Sequence, residues 1–500
     1  MMNRRSFLSR SLLTAASFGV SSTLPRGRRG RYGLPKADAA PQLTPYPVLV
    51  VIVGGGLDPA MHMVARANGS VGGVNIVNRL NDSSSFRRTK SGIDYVSSVV
   101  TPVGGNDFEA HLEDLALIRA LNLSRTAGIT AHTQQAAPWF GDSTGSGKTR
   151  FDRLPWASLL AAQFRKRGFI VPKPCAVAYT NDPATFKNDP YIDYLAYGNT
   201  GPDPETAPDR IITVPSYFNA LSTVGLPDPK LQAPGNALID ALDQGAPSAT
   251  QPDYAQRFAA ANGTAKDVLG FLTGGSLWPP KDPKLFTTLG LDPKDANRDL
   301  SAGNVRFEHM FTLAYLALAN NIAHVIAFKN DGQPVQAGTG WDSHEGNVAR
   351  QTKHGNELWS SLGKLITLMK KTPSRVVLDG RSMFDTTNIW IISEMGRSPQ
   401  AQVRTKKNNV DVPPYQTDGT EHWSHGSSFF IGGRFKRGAV FGDFTPTWTA
   451  VPINPVTGSP NGGIEMSFNH VIATVMKAAG GDPSEFTKAP PIDAVLDMSR

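Results

Sequence analysis

Short runs of β-branched and other apolar residues recur along the chain, and the stretches between them place apolar residues at helical spacing. The run 47–53 reads PVLVVIV and passes into Gly54-Gly55-Gly56-Leu57-Asp58. Such an unbroken run predicts a strand buried on both faces that delivers a loop at its carboxyl end. The same pattern predicts strands at 115–119, 323–328, 388–392 (NIWII) and 427–431. Apolar residues every three or four positions predict helices at 107–112, 154–167, 305–320, 347–370 and 468–479, the second stopping at Gly168. Strand and helix alternate, which predicts a doubly wound, mainly parallel α/β sheet between helices, with ligands bound beyond the carboxyl ends of the strands.

Residues 171–300 break the alternation. Pro, Asp, Asn and Gly crowd around short helical patterns such as 254–272, a composition that predicts a loop-rich insertion or subdomain laid over the core. The expected organisation is a leader at 1–39 followed by one α/β domain at 40–500 that contains this insertion.

Composition agrees with a globular chain: 40% of the 500 residues are hydrophobic and 18% charged, enough to bury a large core. The 48 Gly and 38 Pro exclude a long-helix bundle or coiled coil. A net charge of +8 suggests nucleic acid until it is located, because residues 1–39 hold eight basic residues against Asp38 alone, +7 of the total. The near-neutral remainder has no field to steer DNA or RNA, so no nucleic-acid partner is expected. Asn3-Arg4-Arg5-Ser6-Phe7-Leu8 is a twin-arginine pattern, followed by a weakly apolar stretch at 11–20 and a small-residue cleavage site at Ala37-Asp38-Ala39. The chain is therefore expected to use the twin-arginine translocase, to reach the periplasm or the medium, and to have no stable membrane span. Cys175 is the one cysteine, so no intrachain disulfide can form, and its place in the 171–177 run VPKPCAV, an expected strand edge, predicts a buried structural thiol.

Polar candidates cluster just past the predicted strands. Asp58 follows the first, Asp342 and His344 follow the strand near 325, Glu394 follows NIWIIS, and His422 and His425 precede SSFFIGG. Carboxylates and imidazoles converging on one sheet edge form a ligand set for one or two divalent cations, zinc foremost, with manganese, magnesium or calcium where oxygens dominate. Asp58 and His62 stand four residues apart and could share a helical face, though with Pro59 at a first helical turn a cap at Asp58 is as good an explanation as ligation. Other motifs fail on their own chemistry. Gly145-Ser146-Gly147-Lys148-Thr149 lacks the first glycine of a phosphate-binding loop, Asp142 standing there, and Pro59 stands where a dinucleotide fingerprint starting at Gly54 needs its third glycine. Ser382 and Ser393 sit in no GxSxG elbow, and no haem, flavin or iron–sulfur pattern appears.

The segments Gly340-Trp341-Asp342-Ser343-His344-Glu345, Ile391-Ile392-Ser393-Glu394-Met395-Gly396-Arg397, the 418–426 run DGTEHWSHG and the 438–443 run GAVFGD occur in an order that resembles the bacterial domain of unknown function 1501 family. That family resembles the alkaline phosphatase and sulfatase superfamily, which implies an alkaline phosphatase-like sheet with metal at its carboxyl edge. The resemblance implies that Asp342, His344, Glu394 and His422 or His425 are ligands, that Asp58 is the first-strand ligand, and that Arg397 grips a phosphoryl or sulfuryl oxygen or else pairs with a carboxylate. Where the family often has Ser-His, this chain has Ala131-His132, with Trp139 following. The nucleophile is then Thr130, Thr133 or a metal-bound water, or the site binds without turnover, and His132 is a ligand, a transition-state donor or a structural residue.

Two functions follow as expectations. One is a metal-dependent hydrolase acting on a small anionic phosphate or sulfate ester. The other is a catalytically silent, metal-containing envelope protein that binds an anionic glycan or lipid head group.

Overall fold

A computed structural model describes residues 44–64, 85–101, 108–123, 137–141, 155–167, 169, 282–294, 306–319, 323–332, 340–398 and 420–500, leaving out positions 345, 378, 421 and 461. It also describes strand segments at 69–71, 74–76, 176–180, 211–213, 406–407 and 410–411. The leader, Thr130, His132, Thr133, the Gly145 to Thr149 run, Cys175 and the 254–272 helical pattern lie outside the described residues.

Eight strands build the central sheet: β1 (Val48–Val53), β2 (Leu115–Asn122), β3 (Ala176–Thr180), β4 (Ile211–Thr213), β5 (Val325–Asn330), β6 (Asn388–Ser393), β7 (His425–Ile431) and β8 (Ala439–Phe441). Their order across the sheet is β8-β2-β7-β6-β1-β5-β3-β4. Central β1 pairs in parallel with β5 and β6, β3 pairs in parallel with β5 and β4, and β8 with β2. β7 runs antiparallel to both neighbours, β6 and β2. This reversal matters for the site, because β7 begins at the edge where the parallel strands end. Residues just before and at its start, His422 and His425, are thereby delivered to the carboxyl edge.

Two of these strands, β3 and β4, fall within the 171–300 stretch that the sequence pattern assigns to an insertion. They extend the sheet at one edge, the AVAYT strand beginning where the VPKPCAV run predicts a strand edge.

The two faces of the sheet bury different residues of the same strands. Leu49, Val51 and Val53 of β1 join one core with Phe307, Met310 and Phe311 of α2 (Phe307–Ala319) and Leu358, Leu362 and Leu365 of α3 (Asn347–Lys371). Val48, Val50 and Ile52 join the other core with Leu160 and Phe164 of α1 (Trp156–Lys166) and Val471, Ile472 and Val475 of α4 (Phe468–Ala478). Alternate strand residues thus pack on helices in both directions, which is why the runs are apolar at every position. Each fully buried aliphatic side chain contributes roughly 1.5–3 kcal/mol. Among the described residues no helix is long and apolar enough to cross a membrane.

Candidate metal centre

The site stands on three pieces of chain at the carboxyl edge. The loop between β5 and α3 carries Asp342 and His344. The residues after β1 turn beneath it. A two-residue ribbon, Gly396–Arg397 against His422–Trp423, pairs Arg397 with His422 and lifts the histidine over the loop. Gly55 lets these pieces meet: its φ is +90°, and a Cβ there would stand 2.6 Å from the Asp342 amide nitrogen.

Asp342, His344 and His422 converge, with one ligand atom from each lying within 4.8 Å of the others. The triangle is tight. His344 Nε2 and His422 Nε2 are each 3.1 Å from Asp342 Oδ1 and face one another at 3.1 Å. Ligands about 2.0–2.1 Å from a tetrahedral cation lie about 3.3 Å apart, so this spacing and the mixed carboxylate and imidazole chemistry fit one divalent ion. All three side chains are partly open to solvent, at 38% for Asp342, 24% for His344 and 22% for His422, which leaves room for a ligand from outside. Burial alone would push the Asp342 carboxyl up. Hydrogen bonds with His344 and His422 and the charge of Arg397 outweigh it and hold the group far below the usual carboxylate range.

Of the two roles expected for Arg397, it is placed in the second, paired with a carboxylate. It is fully buried. Its Nη1 donates to the Thr420 carbonyl at 3.2 Å, and its Nη2 donates to the Trp341 carbonyl at 3.2 Å, to the Gly55 carbonyl and to Asp342 Oδ1. A guanidinium committed to three carbonyls and a carboxylate is a brace for the loop, not a grip for a substrate oxygen.

Three further expected ligands have other partners. Asp58 is buried as the cap of a short helical turn: Oδ1 accepts from the Ala60 amide at 3.1 Å and Oδ2 from Asn347 Nδ2 at 2.8 Å. Glu394 is buried with Oε1 accepting from the Gly55 amide at 3.0 Å and Oε2 lying 3.8 Å from Lys329 Nζ. His425 sits inside β7, opposite Asn122, with Nε2 on Glu465 Oε1 at 3.0 Å and Nδ1 on Ser424 Oγ at 2.9 Å. The sheet does gather all six residues along one edge, but these three are held in separate hydrogen-bonded groups outside the triangle. Proximity in the sheet does not settle which way a side chain turns.

Sequence reasoning missed the polar floor beneath the triangle. Gln351 Oε1 accepts from the Asp58 amide at 3.1 Å and lies 3.0 Å from His62 Nε2, while Gln351 Nε2 donates to the Gly56 carbonyl at 3.0 Å and to the Trp341 carbonyl at 3.3 Å. The Trp359 indole donates to His62 Nδ1 at 3.0 Å, so the His62 proton sits on Nε2 and is given to Gln351. Desolvation by burial lowers the His62 imidazole from 6.5 to about 4, against an opposing pull from Gln351, so the ring is neutral. Asn347 ties the loop to the same floor, accepting from Ser343 Oγ and, at 3.1 Å, from Thr420 Oγ1. One signal was available in the sequence: Asn347, Gln351 and His354 occupy the buried stripe of α3 where a packing helix has apolar residues.

Residues 306–490 match the family model described as protein of unknown function (DUF1501). Comparison with curated proteins gives no match. Among solved structures, a protein in the alkaline phosphatase superfamily from Vibrio parahaemolyticus aligns at a TM-score of 0.37 with 9% identity, covering 92% of this chain and 71% of that one. The lipoteichoic acid synthase LtaP from Listeria monocytogenes aligns at 0.32 with 11% identity, over 90% and 76% of the two chains. The alkaline phosphatase from the Antarctic bacterium TAB5 aligns at 0.30 with 11% identity, over 78% and 92%.

Proposed function

We propose that the protein is an exported, metal-dependent hydrolase of phosphate or sulfate esters. The observation that carries the reading is the Asp342, His344 and His422 triangle, open on one side at the carboxyl edge of the sheet. A divalent cation held there would polarise an ester oxygen and neutralise charge developing in the transition state. Asp342 is suited to this at any ordinary pH, because its partners keep it ionised. Arg397 fixes the carboxylate from behind, and the Gln351 floor fixes the loop that bears it, so little reorganisation remains when a ligand arrives. With an ion in place, His344 and His422 would turn from hydrogen-bond partners of Asp342 into ligands through the same Nε2 atoms.

A second reading, a silent envelope protein that binds an anionic glycan or lipid head group, is favoured by the burial of Arg397, which removes one cation from the substrate side. Titration calorimetry of the purified chain with Zn²⁺ and Mn²⁺, beside assays on aryl phosphates, phosphodiesters and aryl sulfates, separates the two. Under the hydrolase reading, Asp342→Asn lowers ion affinity at least tenfold and abolishes turnover. Ion binding without turnover of any ester, in a folded protein, overturns the hydrolase and leaves the second reading.

A further inference from the structure

A second polar group lies one residue away from the triangle. At the ends of β5 and β6, Lys329 Nζ is 3.0 Å from Asp331 Oδ1 and 3.8 Å from Glu394 Oε2. Lys329 is 8% exposed and Glu394 fully buried. Gly55 joins the two groups directly: its amide donates to Glu394 Oε1 at 3.0 Å, and its carbonyl accepts from the Arg397 nitrogen that also reaches Asp342. The fit is close on the other side too, since a Cβ on Gly54 would stand 2.0 Å from Asp331 Oδ1 and 2.5 Å from Lys329 Cε.

We propose that the Lys329 ammonium occupies the position of a second divalent cation, so that the centre takes one metal ion and Glu394 serves Lys329 instead of ligating. Two carboxylates from the ends of β5 and β6, the strands on either side of β1, turned toward one point at the carboxyl edge, are half of a hard-cation site. Left alone, the buried Glu394 carboxylate beside the partly exposed Asp331 carboxylate would be repelled and costly to keep charged. A lysine reaching the same point from within β5 supplies one positive charge on a tether and satisfies both, with no ion to lose. Lys329 pairs in register with Ile52, on the face of the sheet where its stem lies alongside apolar neighbours, so only the ammonium reaches the carboxylates. The same geometry explains why Glu394, which stands directly after β6 where a ligand is expected, does not join the triangle.

This inference rests on the metal-binding reading of Asp342, His344 and His422, and the test separates the two. Bound ions are counted by calorimetry with Zn²⁺ and with Mn²⁺ and by elemental analysis after dialysis, on the full chain and on Lys329→Met, Glu394→Gln and Asp342→Asn. The expected counts are one for the wild type, one for Glu394→Gln, two for Lys329→Met and none for Asp342→Asn. No ion on the wild type overturns the metal reading itself, and this inference with it. Two ions on the wild type, loss of the ion from Glu394→Gln, or a folded Lys329→Met that still binds one overturns the lysine's role and leaves the triangle intact. Should Lys329→Met not fold, the wild-type and Glu394→Gln counts still decide the question.

Discussion

The two halves of α3 share one buried stripe and use it for opposite purposes. Toward the carboxyl terminus, Leu358, Leu362, Leu365, Ile366 and Met369 pack against the sheet. Toward the amino terminus the same stripe carries Asn347, Gln351 and His354, all fully buried. The apolar half gains stability from area removed from water, a term that any side chain of similar shape can supply. The polar half gains little net stability, because each hydrogen bond replaces one to water, yet it is costly to disturb, because a buried group left unpaired keeps its desolvation penalty. One half holds the sheet and helix together. The other aims a loop.

The contrast can be broken from either side. The largest expected effect is on the apolar half: Leu362→Ala should cost about 4 kcal/mol in denaturant unfolding, while the ion affinity of the protein that remains folded stays within about twofold of wild type. A matching loss of affinity would mean that the two halves are not separable.

Acid should act through the polar half. The His62 imidazole is lowered from 6.5 to about 4 by burial, so the unfolded chain takes up its proton at a higher pH than the folded one does. Stability is then fully present above about pH 6.5, falls as pH drops, and stops falling from this source below about 4, a loss of about 3 kcal/mol. Unfolding free energies measured across that range should show the slope, and His62→Gln should flatten it in part. His324, lowered to about 3 by burial beside Phe164 in the other core, contributes a similar slope that the His62 variant leaves in place. An unchanged slope in His62→Gln would exclude His62 as its source.

A smaller stability effect with a larger functional one is expected for Gln351→Leu. Its shape is nearly kept, but the His62 Nε2–H, the Asp58 amide and the Gly56 carbonyl lose their partner. The expected cost is about 2 kcal/mol, with ion affinity reduced about tenfold, since positioning groups behind ligands typically carry that much. Calorimetry at matched folded fractions would reverse the assignment if affinity were unchanged.

Much of the architecture was legible beforehand because its cause is local. β1 is apolar at every position and β5 and β6 are apolar through their middles because both of their faces are covered, and α2, α3 and α4 begin and end within two residues of where their spacing predicts. The exceptions have physical reasons. β4 sits in Pro- and Gly-rich surroundings whose composition outweighs its three strand residues. Asp342, His344 and His422 were legible as candidates through their positions beside strands. Asp58, Glu394, His425 and Arg397 were equally legible and are engaged elsewhere, by Asn347, by Lys329 and Gly55, by Glu465 and Ser424, and by Asp342 with three carbonyls.

Local pattern therefore determined where the chain would be strand or helix, which edge would gather polar residues, and which residue types would be there. Only the tertiary structure decided the partners. Side-chain direction at a strand end depends on turns such as Gly55 at φ +90° and on the reversal of β7, which set distances between residues 80 and more positions apart. A hydrogen bond or an ion pair lives or dies over an ångström, whereas hydrophobic burial tolerates several, and this is why the sequence carries the scaffold plainly and the contacts of the site only as candidates.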